Sequence, residues 1–424
     1  MDTKIEQLLN NEKRAYNFFL RSLIVGLFTG AVITLYANLI SFATTTNKNH
    51  PFLILFIPLG AVITYYLFKI CSPKSKNITD DAIKSINNSD IPLDQLPETI
   101  NPVVGLITLV GTFLTHLFGA AGGKEGAGVQ IGFASAALIK KGETLVLKKE
   151  VKDSDYYLMC GAAAAFGALF HAPVAGLFFG TQFASPTKTR LDLYLPCTIA
   201  SFSAVLTSKA LGIHMLEMPS VMALSFDFKN FLIVIAFALL MGYLSRFFSF
   251  GIHLTKNIFG KLFKKSFTKK VMASVVLMLL SFALYYVNGD FRYNGLGTDL
   301  IIANIQGTAQ YWDFAIKFVF VALTCTAAFL GGEVVPILIF GSGAGFVFAQ
   351  IFSLNVPAFA TLGALAVFSG CTNLPLVAFA LGLEYFGYSD VMTLVLATAV
   401  AFVSSGIHSI YGSQPNPYKS NYAN

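Results

Sequence analysis

Gly122-Gly123-Lys124-Glu125-Gly126-Ala127-Gly128-Val129-Gln130 sets a lysine and a glutamate inside a glycine cluster. The apolar run 103–119 precedes it and another opens at Ile131. In so apolar a setting both charges are expected within or near hydrocarbon. Inserting one there costs roughly 2.5–3.5 kcal/mol, which makes the pair a functional candidate. Glycine lets backbone amides approach a ligand closely, and a helix starting beyond the cluster aims its positive end back at it. The stretch reads as an anion site holding a titratable carboxylate. Burial and positive helix ends act on that carboxylate's charge in opposite senses, and an anion would compete with it for the same dipoles.

Working outward, 55% of the 424 residues are hydrophobic and 12% charged. Soluble domains are about 25% charged, so the fold class is an all-α polytopic membrane protein. Apolar runs exceed ~18 residues repeatedly and are interrupted by Gly, which favours helices over a barrel. The expected apolar segments are 15–46, 51–70, 103–119, a helix to about Ile139, 157–183, 194–211, 231–250, 271–286, 314–331, 334–353, 358–382 and 391–410. Residues 72–101 read as a polar connection. Residues 1–14 read as a cytoplasmic amphipathic lead-in without a signal-peptide cleavage site, and 413–424 as a tail with no soluble regulatory domain.

The net charge of +7 would suit nucleic acid only if the lysines formed a patch, and they fall mostly in loops. The loop from Lys256 to Lys270 carries six lysines and no acid, which predicts a cytoplasmic position. The five cysteines include no Cys-x-x-Cys pair and sit mostly in apolar runs, so buried thiols are expected, with no disulfide framework, metal or cofactor. The six histidines show no His-Glu-x-x-His spacing, which argues against an intramembrane enzyme. A phosphate loop also fails: it needs Gly where Phe118 stands, and Ser or Thr where Glu125 stands.

A second break, Gly331-Gly332-Glu333-Val334-Val335-Pro336, matches the first in form: a glycine pair, an acid, then an apolar run. Interrupted segments in corresponding halves point to a midplane site between inverted repeats, here 15–212 and 227–412. A proline in the first turn would leave the Glu333 and Val334 amides free to face an anion.

These pieces resemble motifs of the CLC anion channel and transporter family. Gly123-Lys124-Glu125-Gly126 with Val129-Gln130 is similar to its Gly-Arg-Glu-Gly-x-x-Val-Gln element, and Gly331–Pro336 to its Gly-Gly-x-Phe-x-Pro element. Ala172-Pro173-Val174-Ala175-Gly176, Gly295-Leu296-Gly297-Thr298 and the stretch 406–411 follow in the family's order. The Gly-Ser-Gly-Ile-Pro of chloride proteins is absent, Ala127 stands for Pro and Val334 for Phe. Thr115-His116-Leu117-Phe118-Gly119, Gly332-Glu333-Val334-x-Pro336, Thr372-Asn373-x-Pro375 and Gly406-x-x-x-x-Tyr411-Gly412-Ser413-Gln414 resemble the fluoride-exporting branch. The internal glutamate of chloride exchangers would fall near Gln182 or Phe183 and is missing.

The resemblance implies a fold of broken helices in inverted repeats with one pore per subunit, a homodimer, an inner (plasma) membrane location, and fluoride/proton antiport rather than enzymatic activity. A chloride channel or chloride/proton exchanger is the alternative. It makes Glu125 the gating and proton-carrying group, with Gly123, Lys124 and Gly126 around the anion. Tyr411 would donate a hydroxyl to the anion, or sit as an interfacial aromatic. Two roles fit Glu333: a cap on free amides, or proton and fluoride handling. Thr372 and Asn373 would support the site or cap the helix at Pro375. Asn77-Ile78-Thr79 stands where the selectivity element belongs, or is a plain turn, and His116 is a packed histidine or a proton relay.

Overall fold

The computed structural model describes residues 2–71, 78–87, 100–148, 154–186, 188–213, 227–327, 329–406 and 408–415, with isolated positions between 218 and 225. Sixteen α-helices occur among the described residues. The first eight are α1 (Asp2–Asn49), α2 (Ile57–Cys71), α3 (Ile78–Asn87), α4 (Pro102–Leu117), α5 (Glu125–Leu147), α6 (Ser154–Phe170), α7 (Pro173–Gln182) and α8 (Tyr194–Ala210). The second eight are α9 (Phe228–Leu262), α10 (Ser266–Asn288), α11 (Thr298–Gln306), α12 (Asp313–Thr326), α13 (Val334–Ile351), α14 (Val356–Thr372), α15 (Pro375–Glu384) and α16 (Val391–Ser405). Six helical segments among the described residues are long and apolar enough to cross a bilayer, from 18 to 35 residues.

The packing of the first eight helices recurs in the second eight. In the first set α1 packs on α6 and α8, α5 on α4 and α6, and α6 on α7. In the second α9 packs on α14 and α16, α13 on α12 and α14, and α14 on α15. Where the sets meet, α2 touches α10, α5 touches α13 and α7 touches α15. Small residues permit the closest crossings. A methyl on Gly132 of α5 would stand 2.5 Å from the Gly161 carbonyl of α6, and one on Gly341 of α13 would collide with the Gly363 carbonyl of α14.

Several expected boundaries change. The runs 157–183 and 358–382 are each two helices, broken at His171-Ala172 and Asn373-Leu374. His171 has φ 51° and Asn373 φ 60°, and Pro173 and Pro375 then start α7 and α15. A proline has no N–H to continue the preceding helix but fits a first turn, so hydropathy alone fuses what proline divides. The helix expected to stop near Ile139 continues to Leu147. Its lysine-rich end is largely exposed but tied to the fold at Glu143: Oε1 accepts from Arg21 Nε at 2.8 Å, and Oε2 from the Tyr157 hydroxyl.

The stretch from Lys256 to Lys270 is mostly helix, since α9 ends at Leu262 and α10 begins at Ser266. No boundary falls at residue 14, because α1 runs unbroken from Asp2. The tail does not separate at 413 either. Ser413 N donates to Asp80 Oδ1 at 2.9 Å, and Gln414 bonds to two helix ends.

Candidate functional site

The two glycine breaks meet in the middle of the chain's packing. Gly123 N donates to the Gly332 carbonyl at 2.8 Å, and Gly332 N returns a bond to the Gly123 carbonyl at 2.6 Å. Two threonines at equivalent places pin the crossing. Thr115 Oγ1 donates to the Leu330 carbonyl at 2.7 Å, and Ala121 N donates to Thr324 Oγ1 at 3.0 Å. The pairing sets the starts of α5 and α13 side by side, with Lys124 and Glu333 as their respective N-cap residues. Neither side chain caps its own helix, so the first-turn amides keep their donors for other acceptors.

Glu125 is buried, with 2% of its surface exposed. The backbone amides of Lys124, Glu125 and Val335 face its carboxylate, and Lys124 is the neighbouring cation. Oε2 has no hydrogen-bond partner among the described residues, and a methyl on Gly123 would stand 2.9 Å from it. A carboxylate thus occupies the place that an anion would take between two helix N-termini. From α13 the facing amide belongs to Val335, not to Glu333 or Val334: the helix starts at Val334 and Pro336 is its third residue. Val334 contributes a buried side chain instead, 3% exposed. Gly126 fills the remaining space, where a methyl would meet Gly332 Cα at 2.8 Å. On one side of Glu125 lies a cavity of about 300 Å³, bordered also by Lys124, Lys48, Asp299 and Tyr385.

A second cavity, of about 560 Å³, is lined by Asn373, Tyr411, Gln414 and Arg246. Tyr411 has Glu333 and Asp80 as its charged neighbours, which brings the final segment, the start of α3 and the cap of α13 together. Glu333 is half-buried, and Cys325 Sγ lies 3.6 Å from its Oε1. It does not accept from its own helix's amides as a side-chain cap.

The suggested third wall is placed in part. Asn77 lies outside the described residues. Ile78 and Thr79 begin α3 and so are not a plain turn. Thr79 Oγ1 accepts from Gln130 Nε2 of α5 at 3.1 Å, and Asp80 holds Ser413. The Thr372 hydroxyl is spent on its own helix, donating to the Phe368 carbonyl at 2.7 Å, so it offers nothing to an anion. Asn373 is the left-handed C-cap of α14 rather than a cap on α15. His116 is 1% exposed, neither ring nitrogen has a hydrogen-bond partner among the described residues, and it borders a separate cavity of about 470 Å³ next to Asn294 and Asn47. It is not packed into hydrogen bonds as expected of a core histidine.

Gln130 and Gln414 stand in the motif matches without an assigned role, Asp80 stands outside them, and all three organise the site. Gln414 Nε2 donates to the Phe183 and Thr372 carbonyls, and its Oε1 accepts from Ser409 at 2.8 Å. The motif match gives Gln414 no partner, so only the fold discloses these contacts. At the position of the missing internal glutamate, Gln182 Nε2 donates to Thr189 Oγ1 at 3.2 Å.

Residues 59–406 match the family model for voltage gated chloride channels. A chloride/fluoride channel protein of Pseudomonas syringae pv. tomato is 27% identical over 397 residues, covering 92% of this chain and 84% of the relative. The crystal structure of a CLC-type fluoride/proton antiporter superposes with a TM-score of 0.82 at 29% identity, over 94% of this chain and 98% of that one. A slow cyanobacterial chloride/proton antiporter superposes with a TM-score of 0.74 at 17% identity, covering 94% and 96%, which shows the shared fold. The expected fold class, broken helices in inverted repeats, is therefore the observed one.

Proposed function

This chain belongs to the voltage gated chloride channel family, and from that premise we propose that it is a fluoride/proton antiporter that exports fluoride through Glu125. The observation that carries the reading is a buried carboxylate held against amides from the starts of both α5 and α13. Deprotonated, Glu125 blocks the anion path by taking the anion's donors. Protonated, it loses its attraction to those amides and moves toward the 300 Å³ cavity, so fluoride takes its place. The carboxyl then delivers its proton from the other side. Fluoride is small and tightly hydrated, so its passage needs dense N–H and O–H donors to replace water. The relatives named for fluoride support that ion, and the absence of Gly-Ser-Gly-Ile-Pro counts against chloride.

The multi-pass chain sits in a bilayer. We assign it to the plasma membrane as a homodimer, with residues 256–270 facing the cytoplasm and the repeats spanning 15–212 and 227–412. Fluoride efflux and proton uptake in liposomes, with chloride as comparator, test the proposal. Fluoride leaving as protons enter is expected; chloride moving as fast as fluoride, or fluoride moving without protons, overturns it.

Tyr411 closes the path at the second cavity. Tyr411→Ala removes a hydroxyl donor to a charged species, an interaction of about 1.5–3 kcal/mol. The expected result is at least a tenfold rise in the fluoride concentration needed for half-maximal flux. A wild-type value removes Tyr411 from the path.

A further inference from the structure

Protonated Glu125 needs a place to rest. A neutral carboxyl in apolar surroundings is costly unless it finds a hydrogen-bond partner. The cavity beside Glu125 is walled near its floor by Ala37, Ile40, Leu169, Phe170, Leu296 and Val335. Farther out, Thr44 Oγ1 is committed to the Ile40 carbonyl at 2.9 Å, and Lys48 and Asp299 pair with each other at 2.7 Å. Tyr385 stands in the same wall with Glu125 as its charged neighbour, and its hydroxyl takes no hydrogen bond among the described residues. A phenol both donates and accepts, so it can serve either oxygen of a carboxyl group.

The fold holds this phenol in place. Phe170 meets its ring edge-on at 5.2 Å, and Tyr385 is the C-cap of α15, its N–H bonded to the Leu381 carbonyl at 2.9 Å. The preceding residue, Glu384, accepts from Val174 N at 3.0 Å and Ala175 N at 2.8 Å, which ties the end of α15 to the start of α7. A clasp between the two repeats thus positions Tyr385 over the cavity.

We propose that the Tyr385 hydroxyl is the resting partner of protonated Glu125, a positioning residue that sets the pH range of exchange. This inference rests on the exchange reading above. The other ionisable groups around Glu125 are Tyr36 and Lys48 of α1, its neighbour Lys124, and Asp299 of α11. His116 of α4 lies near Lys124, and α13 presents the Val335 amide, with Glu333 at its cap. None of these is removed by Tyr385→Phe, which keeps the ring and its packing against Phe170.

The test measures fluoride efflux and proton uptake across a pH series in liposomes. For Tyr385→Phe the profile should move toward acid by up to about one pH unit, since a resting partner worth one hydrogen bond is lost. In the Glu125→Gln background the same substitution should add nothing, because the group it acts through no longer titrates. An unchanged profile for Tyr385→Phe overturns the inference, as does an equal loss of flux with and without Glu125. If Glu125→Gln itself retains proton coupling, the exchange reading fails. If it uncouples while Tyr385→Phe is unshifted, only the Tyr385 role fails.

Discussion

Replacing Glu125 with Gln is expected to reduce proton uptake during fluoride efflux to the leak of protein-free liposomes. Glutamine matches the side chain in volume and still offers a carbonyl oxygen to the Lys124, Glu125 and Val335 amides. The substitution therefore leaves the packing in place and removes only the ability to take and release a proton. Of the other carboxylates near the crossing, Asp299 borders the 300 Å³ cavity, while Glu333 and Asp80 neighbour Tyr411 beside the 560 Å³ one. None can stand in for a carboxylate seated between the two helix starts. A normally folded Glu125→Gln protein that still carries protons against fluoride would sink the gating role. The flux assay must be paired with size-exclusion elution at the wild-type position, which separates a silent site from a collapsed one.

The part of this site legible in the sequence is the part written in glycine and charge. Lys124 and Glu125 among glycines, and the matching break at Gly331-Gly332-Glu333, stand out because both features are costly in apolar helices. Their direct pairing through Gly123 and Gly332 follows from that likeness. What stayed hidden depends on contacts distant in sequence. Asp80 meets Ser413 across 333 positions and Gln414 reaches Phe183 across 231. Nothing local in a tail glutamine marks it as a clasp. The Thr372 hydroxyl shows the same limit: the sequence leaves it as a support of the site or a cap at Pro375, and in the fold it donates to the Phe368 carbonyl of its own helix. Tyr385 had no signal at all, since an aromatic residue after an apolar helix fits a membrane interface equally well.

The symmetry of the crossing also carries an asymmetry of charge. Lys124 and Glu333 occupy equivalent N-cap places on α5 and α13, yet they carry opposite charges. One helix start therefore presents a cation beside Glu125, and the other a carboxylate near Tyr411.

Gly332→Ala is expected to abolish transport by disrupting that crossing. A methyl at this position would overlap the backbone nitrogen of Gly126, stand 3.0 Å from Gly126 Cα and 3.2 Å from the Glu125 nitrogen. These are backbone atoms in the first turn of α5, so no side chain can rotate away. The Gly123–Gly332 hydrogen bonds, at 2.6 and 2.8 Å, would have to lengthen as the helix starts part, drawing the Val335 amide off Glu125. Overpacking a tight core costs about 1–3 kcal/mol, which the protein can survive. A displacement of about 1 Å at a catalytic constellation can cost roughly 100-fold in rate, which the site cannot. Fluoride efflux should accordingly fall about 100-fold while the protein still elutes as a folded species with a modestly lower melting temperature. Gly142→Ala in the same helix α5 is the control. Nothing lies within 4 Å of its added methyl, and alanine is favoured over glycine in a helix by about 1 kcal/mol. That variant should transport as wild type and melt no lower. Equal transport by the two variants would show that the close approach of Gly332 to α5 is dispensable.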